Sequence, residues 1–97
     1  VRKQGTDKDA GEGVLNNLGY DLLANERRGD AIAIFKLAAE TFPQSANAHD
    51  SLGEAYLGNG QRDLAMRHYE TSLALDPKNA HAARVLADLK AAPAPGN

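Results

Sequence analysis

The chain has no cysteine, no tryptophan, one methionine and few aromatics, with three Tyr and two Phe. Lack of cysteine excludes a disulfide framework and thiolate metal sites. No apolar run approaches the roughly 18–20 residues that a membrane-spanning helix needs. Neither sign of charge dominates, because 11 Lys and Arg stand among 13 Asp and Glu, for a net charge of −2. That balance supplies no basic footprint for nucleic acid or an anionic membrane surface. What the chain does hold is alanine and leucine, which make up most of its 42% apolar content and can build a small helical core. Its 97 residues allow one domain. With Val1 in place of an initiating Met and no signal peptide, the sequence reads as a fragment or as a processed or cloned domain.

These residues recur with a period of 34, so that Leu18-Gly19 falls on Leu52-Gly53, Leu23 on Leu57, Ala31 on Ala65, Phe35 on Tyr69 and Pro43 on Pro77. A period of this length belongs to a helix–turn–helix unit of a helical solenoid. In the first copy Leu15, Leu18, Leu22 and Leu23 form one apolar stripe along a first helix of about Glu12 to Glu26. Arg28-Gly29-Asp30 breaks the pattern, with Asp30 as the expected cap of the next helix. That helix places Ala31, Ile34, Phe35, Ala38 and Phe42 on one face and stops at Pro43. Gly19 and Ala31 let the two helices approach, and Phe35 fills the space left between them. The second copy repeats the logic with Gly53, Ala65 and Tyr69, turns at Gly58-Asn59-Gly60 and ends at Asp76-Pro77. No strand pattern competes, and the expected fold is all-α, with five helices in antiparallel pairs.

Leu-Gly, then a small residue, an aromatic four places later and a closing proline together resemble the tetratricopeptide repeat (TPR). The resemblance covers residues 12 to 79, followed by a capping helix at 79–91, where Ala80, Ala82 and Leu86 match Ala46, Ala48 and Leu52. The tryptophan that the family often places early in the unit is Leu15 in one copy and His49 in the other, and Ser72 stands at a usual alanine. More narrowly, the run from Asn17 through Tyr56 resembles repeat pairs attached to the C-terminal end of bacterial serine hydrolases of the β-lactamase-like kind. The implied organisation is a polar leader at 1–11, a TPR domain at 12–91 (repeats 12–45 and 46–79) and a Pro-rich tail at 92–97. Ala55 and Leu89 are apolar where one unit should stack on its predecessor, whereas Asp21 is charged, as expected of a first repeat that begins a short, complete array.

No arrangement of residues points to catalysis. His49, His68 and His81 lack the i, i+4 spacing of a helical metal site and read as structural or surface histidines. Ser45, Ser51 and Ser72 have no nucleophile-elbow glycines around them, and Ser45 and Asn79 read as helix caps. Gly58-Asn59-Gly60 lacks the strand and the lysine of a phosphate loop. Asp50 and Glu54 read as a solvated acidic patch. The chain is therefore expected to be no enzyme and to need no metal or cofactor.

In stacked helix pairs the first helices line a concave face on which peptides bind. The resemblance thus implies a protein-interaction module with a candidate partner surface at Asn16, Tyr20, Leu23, Asn47, Asp50, Glu54, Leu57, His81, Arg84 and Asp88. Family members that bind C-terminal chaperone peptides use lysines, an arginine and asparagines as a carboxylate clamp. Only Asn16 and Arg84 come near that chemistry, while Asp50 and Glu54 repel an anionic end, so a basic or neutral segment is the expected partner. The alternative is an accessory C-terminal domain of a larger bacterial hydrolase, which docks on the catalytic domain or mediates assembly. Val85 and Leu89, one turn apart on the last helix, are expected to leave an apolar edge through which a homodimer forms.

Overall fold

A computed structural model describes the backbone of residues 2–91 and the side chains of 11–91. Five helices follow one another: α1 (Arg2–Ala24), α2 (Arg28–Thr41), α3 (Ala46–Gly58), α4 (Arg62–Leu75) and α5 (Ala80–Ala91). Each packs against the next in sequence, and the first helices α1 and α3 also touch. This is the all-α helical repeat that the 34-residue period implies, with no strand among the described residues. The Pro-rich tail lies outside the described residues.

The pair cores form where glycine meets an aromatic ring. A Cβ on Gly19 would stand 2.4 Å from the Phe35 ring, and one on Gly53 would stand 3.1 Å from the Tyr69 ring and 3.2 Å from the Ala65 carbonyl oxygen. Phe35, Tyr69 and Leu52 are sealed from solvent, and alanines at 31, 38, 48, 55, 65 and 82 complete the core. Small side chains along the contacts bring the helices close, and the rings supply most of the filling.

Several local expectations are corrected. The first helix begins at Arg2 and ends at Ala24, so the backbone of residues 2–11, expected as a polar leader, is helical. The second begins two residues before Asp30, which sits in its first turn and pairs with Arg27 at 2.6 Å instead of capping. A carboxylate there is still favourable, because it faces the positive end of the helix dipole. Ser45 caps α3 as expected, accepting from the Ala48 N–H at 3.0 Å, and Asn79 does the same for α5 through the Ala82 N–H at 3.1 Å. Leu18, read as part of the buried stripe, is 41% exposed, whereas its repeat equivalent Leu52 is 1% exposed. Leu52 lies beneath the preceding pair, and among the described residues no helix takes that place over Leu18.

Candidate functional site

The three first helices α1, α3 and α5 share one side of the molecule, and a concavity of about 490 Å³ opens there. Tyr20 enters it from α1, Asn47, Asp50 and Glu54 from α3, and His81 from α5. Spacing explains the set on α3, since residues 47, 50 and 54 recur at three and four and share a helix face.

Hydrogen bonds tie these side chains into two groups. In the first, the Tyr20 hydroxyl donates to Glu54 Oε1 at 2.8 Å and lies 3.2 Å from Ser51 Oγ, which donates to Asn16 Oδ1 at 2.9 Å. Burial, with the nearby Glu54 and Asp50 charges, pushes the Tyr20 hydroxyl up to about 12, so it remains a donor at neutral pH. In the second, Asp50 accepts from Asn79 Nδ2 at 2.9 Å and from His81 Nδ1 at 2.9 and 3.0 Å. A carboxylate only accepts, so the His81 proton sits on Nδ1. Asn79 also donates to Ser72 Oγ at 2.9 Å, and Ser72 donates to the Ala46 carbonyl at 2.7 Å. Ser72, the departure from the family's alanine, therefore locks the α4–α5 turn onto the start of α3.

Of the ten expected surface residues, five line the concavity, and Asn16 joins them through Ser51. Leu23 and Leu57 are half-buried and packed against the core, while Arg84 and Asp88 are exposed on α5 and do not line it. Asp50 is not the solvated carboxylate expected from an open helix face: it is 8% exposed and held by two donors. The α4–α5 turn adds Asp76, Lys78 and Asn79 to the lining, which the helix-face reading missed. The available signal was the polar run Asp76-Pro77-Lys78-Asn79, since a turn ahead of a first helix must lie at the rim of the same face.

The other two histidines lie elsewhere. His49 Nε2 stands 3.3 Å from the Pro43 carbonyl and its Nδ1 stands 3.3 Å from His68 Nδ1, while Tyr56 stacks on His68 with ring centroids 5.5 Å apart. A carbonyl only accepts, so neutral His49 carries its proton on Nε2 and accepts from His68 Nδ1–H. Among the described residues no group of three or more His, Asp or Glu has the arrangement of a metal site. Val85 and Leu89, expected as an uncovered edge, are half-buried and packed against the core, and among the described residues the large exposed apolar ones are Val14, Leu18 and Leu37.

Fold and site together define a helical-repeat domain with a polar concave face. The tetratricopeptide-repeat model matches residues 22–89, and the chain belongs to that family. Hsp70-Hsp90 organizing protein of Triticum aestivum is 37% identical over 81 residues, which are 84% of this chain and 14% of that protein. Tetratricopeptide repeat domain-containing protein PYG7, chloroplastic, of Arabidopsis thaliana is 32% identical over 75 residues, 77% of this chain and 25% of that protein. The chain thus spans a quarter or less of the length of these relatives, and neither is named as a hydrolase.

Proposed function

We propose that the chain is a non-catalytic protein-interaction module that receives a partner segment on the concave face of its first helices. The observation that carries this reading is the convergence of Tyr20, Asn47, Asp50, Glu54 and His81, from three separate helices, on one concavity. Membership of a repeat family with a relative named as an organiser of two other proteins supports it. Carboxylates at Asp50, Glu54 and Asp76 line the concavity together with a single lysine, Lys78. A segment carrying Lys or Arg, or a neutral one, suits this lining, and an anionic C-terminus is repelled. Asn47, exposed at the rim, supplies hydrogen-bonding groups for a peptide backbone.

The test is an NMR titration with two synthetic peptides of equal length, one lysine-bearing and one glutamate-bearing. The lysine peptide is expected to move the amides of α1, α3 and α5. Tyr20→Ala and Asn47→Ala should weaken it, while Lys36→Ala and Glu70→Ala on the second helices should not. Shifts confined to α2 and α4, or tighter binding of the glutamate peptide, overturn the reading. So does esterase, amidase or phosphatase turnover that disappears in His81→Ala.

A further inference from the structure

The concavity offers its hydrogen-bond acceptors singly, and this limits which cation it can hold. Asp50 is the most enclosed of its carboxylates, at 8% exposure, and its oxygens are taken by Asn79 Nδ2 and His81 Nδ1. Asp76 lies at the exposed rim, with Oδ1 on the Lys78 N–H at 3.0 Å. Glu54 is half-buried between them and differs from both. Its Oε1 accepts from the Tyr20 hydroxyl at 2.8 Å, and among the described residues nothing bonds its Oε2.

Tyr20 sets this asymmetry. A phenol has one proton to give, and here it goes to Glu54. Ser51 Oγ, 3.2 Å from the same hydroxyl, gives its own proton to Asn16, so the lone pairs of Tyr20 stay open to a donor. Burial above all, then the Asp50 and Glu54 charges, pushes the Tyr69 hydroxyl up as well as that of Tyr20. The field of the two carboxylates thus reaches both rings, and no nearby cation counters it there.

A carboxylate with both oxygens free suits a guanidinium, whose planar fork makes two parallel bonds. One whose Oε1 is already engaged does not. An ammonium is compact and carries three donors, which it can divide among separate acceptors. Glu54 Oε2, the Tyr20 hydroxyl and the Asn47 side-chain carbonyl are separate acceptors on the lining of one concavity.

We infer that the concavity selects lysine over arginine, with the Tyr20–Glu54 pair as the subsite for the ammonium of a partner segment. The inference rests on the concave-face reading and goes past it, since that reading admits either cation. Tyr20 is the selecting residue, because its hold on Oε1 leaves the arginine fork without a second bond.

An NMR titration of the full chain tests it, using two glycine–serine peptides identical except for one central lysine or arginine. The lysine peptide is expected to bind about threefold or more tighter, because the arginine forgoes one charge-assisted bond. Tyr20→Phe keeps the ring and frees Oε1, so arginine should gain and the ratio should fall to about one or below. Glu54→Gln removes the charge and should weaken both peptides and erase the discrimination. The ratio in the parent chain is read without any variant, so it decides even where a variant does not fold. Equal or tighter binding of the arginine peptide by the parent overturns the inference and leaves the concave-face reading standing. A lysine preference that Tyr20→Phe leaves unchanged does the same. If neither peptide moves the amides of α1, α3 and α5, the concave-face reading fails and the inference falls with it.

Discussion

Leu18 and Leu52 occupy the same place in a 34-residue unit, yet one is two-fifths exposed and the other is sealed. The same contrast recurs along the two helix pairs. Asp21 is exposed where Ala55 is fully buried, and Val14 is exposed where Ala48 is buried. The first pair has a neighbour on one side, whereas the second lies between α2 and α5. Register decides which residues face which way, and the neighbouring helices decide whether that face is dry. Chemistry differs too: the first pair puts Leu15, Leu22 and Ile34 where the second puts His49, Tyr56 and His68. An aliphatic trio in one unit is a stacked aromatic trio in the next, with a hydrogen bond between its two histidines.

The largest effect should come from truncating the paired leucines. Leu52→Ala is expected to destabilise by about 2–5 kcal/mol, since it empties a fully enclosed site. Leu18→Ala should cost below about 1 kcal/mol in the monomer, because much of that side chain already meets water. Urea midpoints measured at low concentration compare them directly. Equal losses would mean that the first pair is covered as fully as the second, and would break the comparison.

Glycine at the pair cores comes next. Gly19→Ala places a methyl carbon 2.4 Å from a ring that has no free space, so Phe35 must move and the expected loss is about 1–3 kcal/mol. At Gly53 the nearest approach is 3.1 Å, a tight contact that small shifts relieve. A helix-propensity gain of about 0.5–1 kcal/mol partly offsets it. Thermal melts should therefore rank Gly19→Ala well below Gly53→Ala. The reverse order would show that the second pair, not the first, is the more closely apposed.

These glycines mark what the sequence made legible. Leu-Gly, the small residue, the aromatic and the proline set helix number, pairing and the Gly–ring contacts, because each is dictated by steric fit at short range. The concave-face set was half legible: helical spacing put Asn47, Asp50 and Glu54 together, while Arg84 and Asp88 are exposed on α5 outside the lining of the concavity. What escaped depends on contacts remote in sequence. The burial of Asp50 rests on Asn79 and His81, 29 and 31 residues away. The exposure of Leu18 follows from its having no covering helix among the described residues, which periodicity alone does not register. The helical backbone at 2–10 escaped because that stretch is polar and lacks a stripe.

The helix ends sharpen the contrast further. Both first helices close with matching bonds: Arg27 N–H to the Leu22 carbonyl at 2.8 Å, and Gln61 N–H to the Tyr56 carbonyl at 2.9 Å. This six-residue closure puts its penultimate residue in the left-handed region. Gly60 fills that place in the second pair with φ 78°, and Glu26 in the first with φ 60°. A residue with a Cβ is disfavoured there by roughly 1–2 kcal/mol. Glu26→Gly is thus expected to stabilise by about 1 kcal/mol, and Gly60→Ala to destabilise by a similar amount. Denaturant midpoints that move in the same direction for both variants would refute the equivalence of the two turns.

The smallest effect separates the pairs by pH. Burial above all, then the neighbouring His49, Arg67 and Lys36, lowers the proton affinity of His68 below its usual 6.5. In the unfolded chain His68 regains the ordinary value, so between the two values the unfolded state binds more protons. Stability from this group is then full above about pH 6.5 and falls as pH drops towards the lower folded value. A protonated His68 ring would also stand beside the Arg67 and Lys36 charges, which oppose it. The first pair has no such group, since Leu15, Leu22 and Ile34 do not titrate. The double variant His49→Leu/His68→Ile transfers the first pair's residues into the second. It should lose less melting temperature than the parent between about pH 7.5 and about pH 5.5, a window above most carboxylate titration. His81 on Asp50 is common to both proteins and cancels in the difference. Parallel pH profiles for parent and variant would show that the histidine pair carries no net linkage, and that the two repeats respond to acid alike.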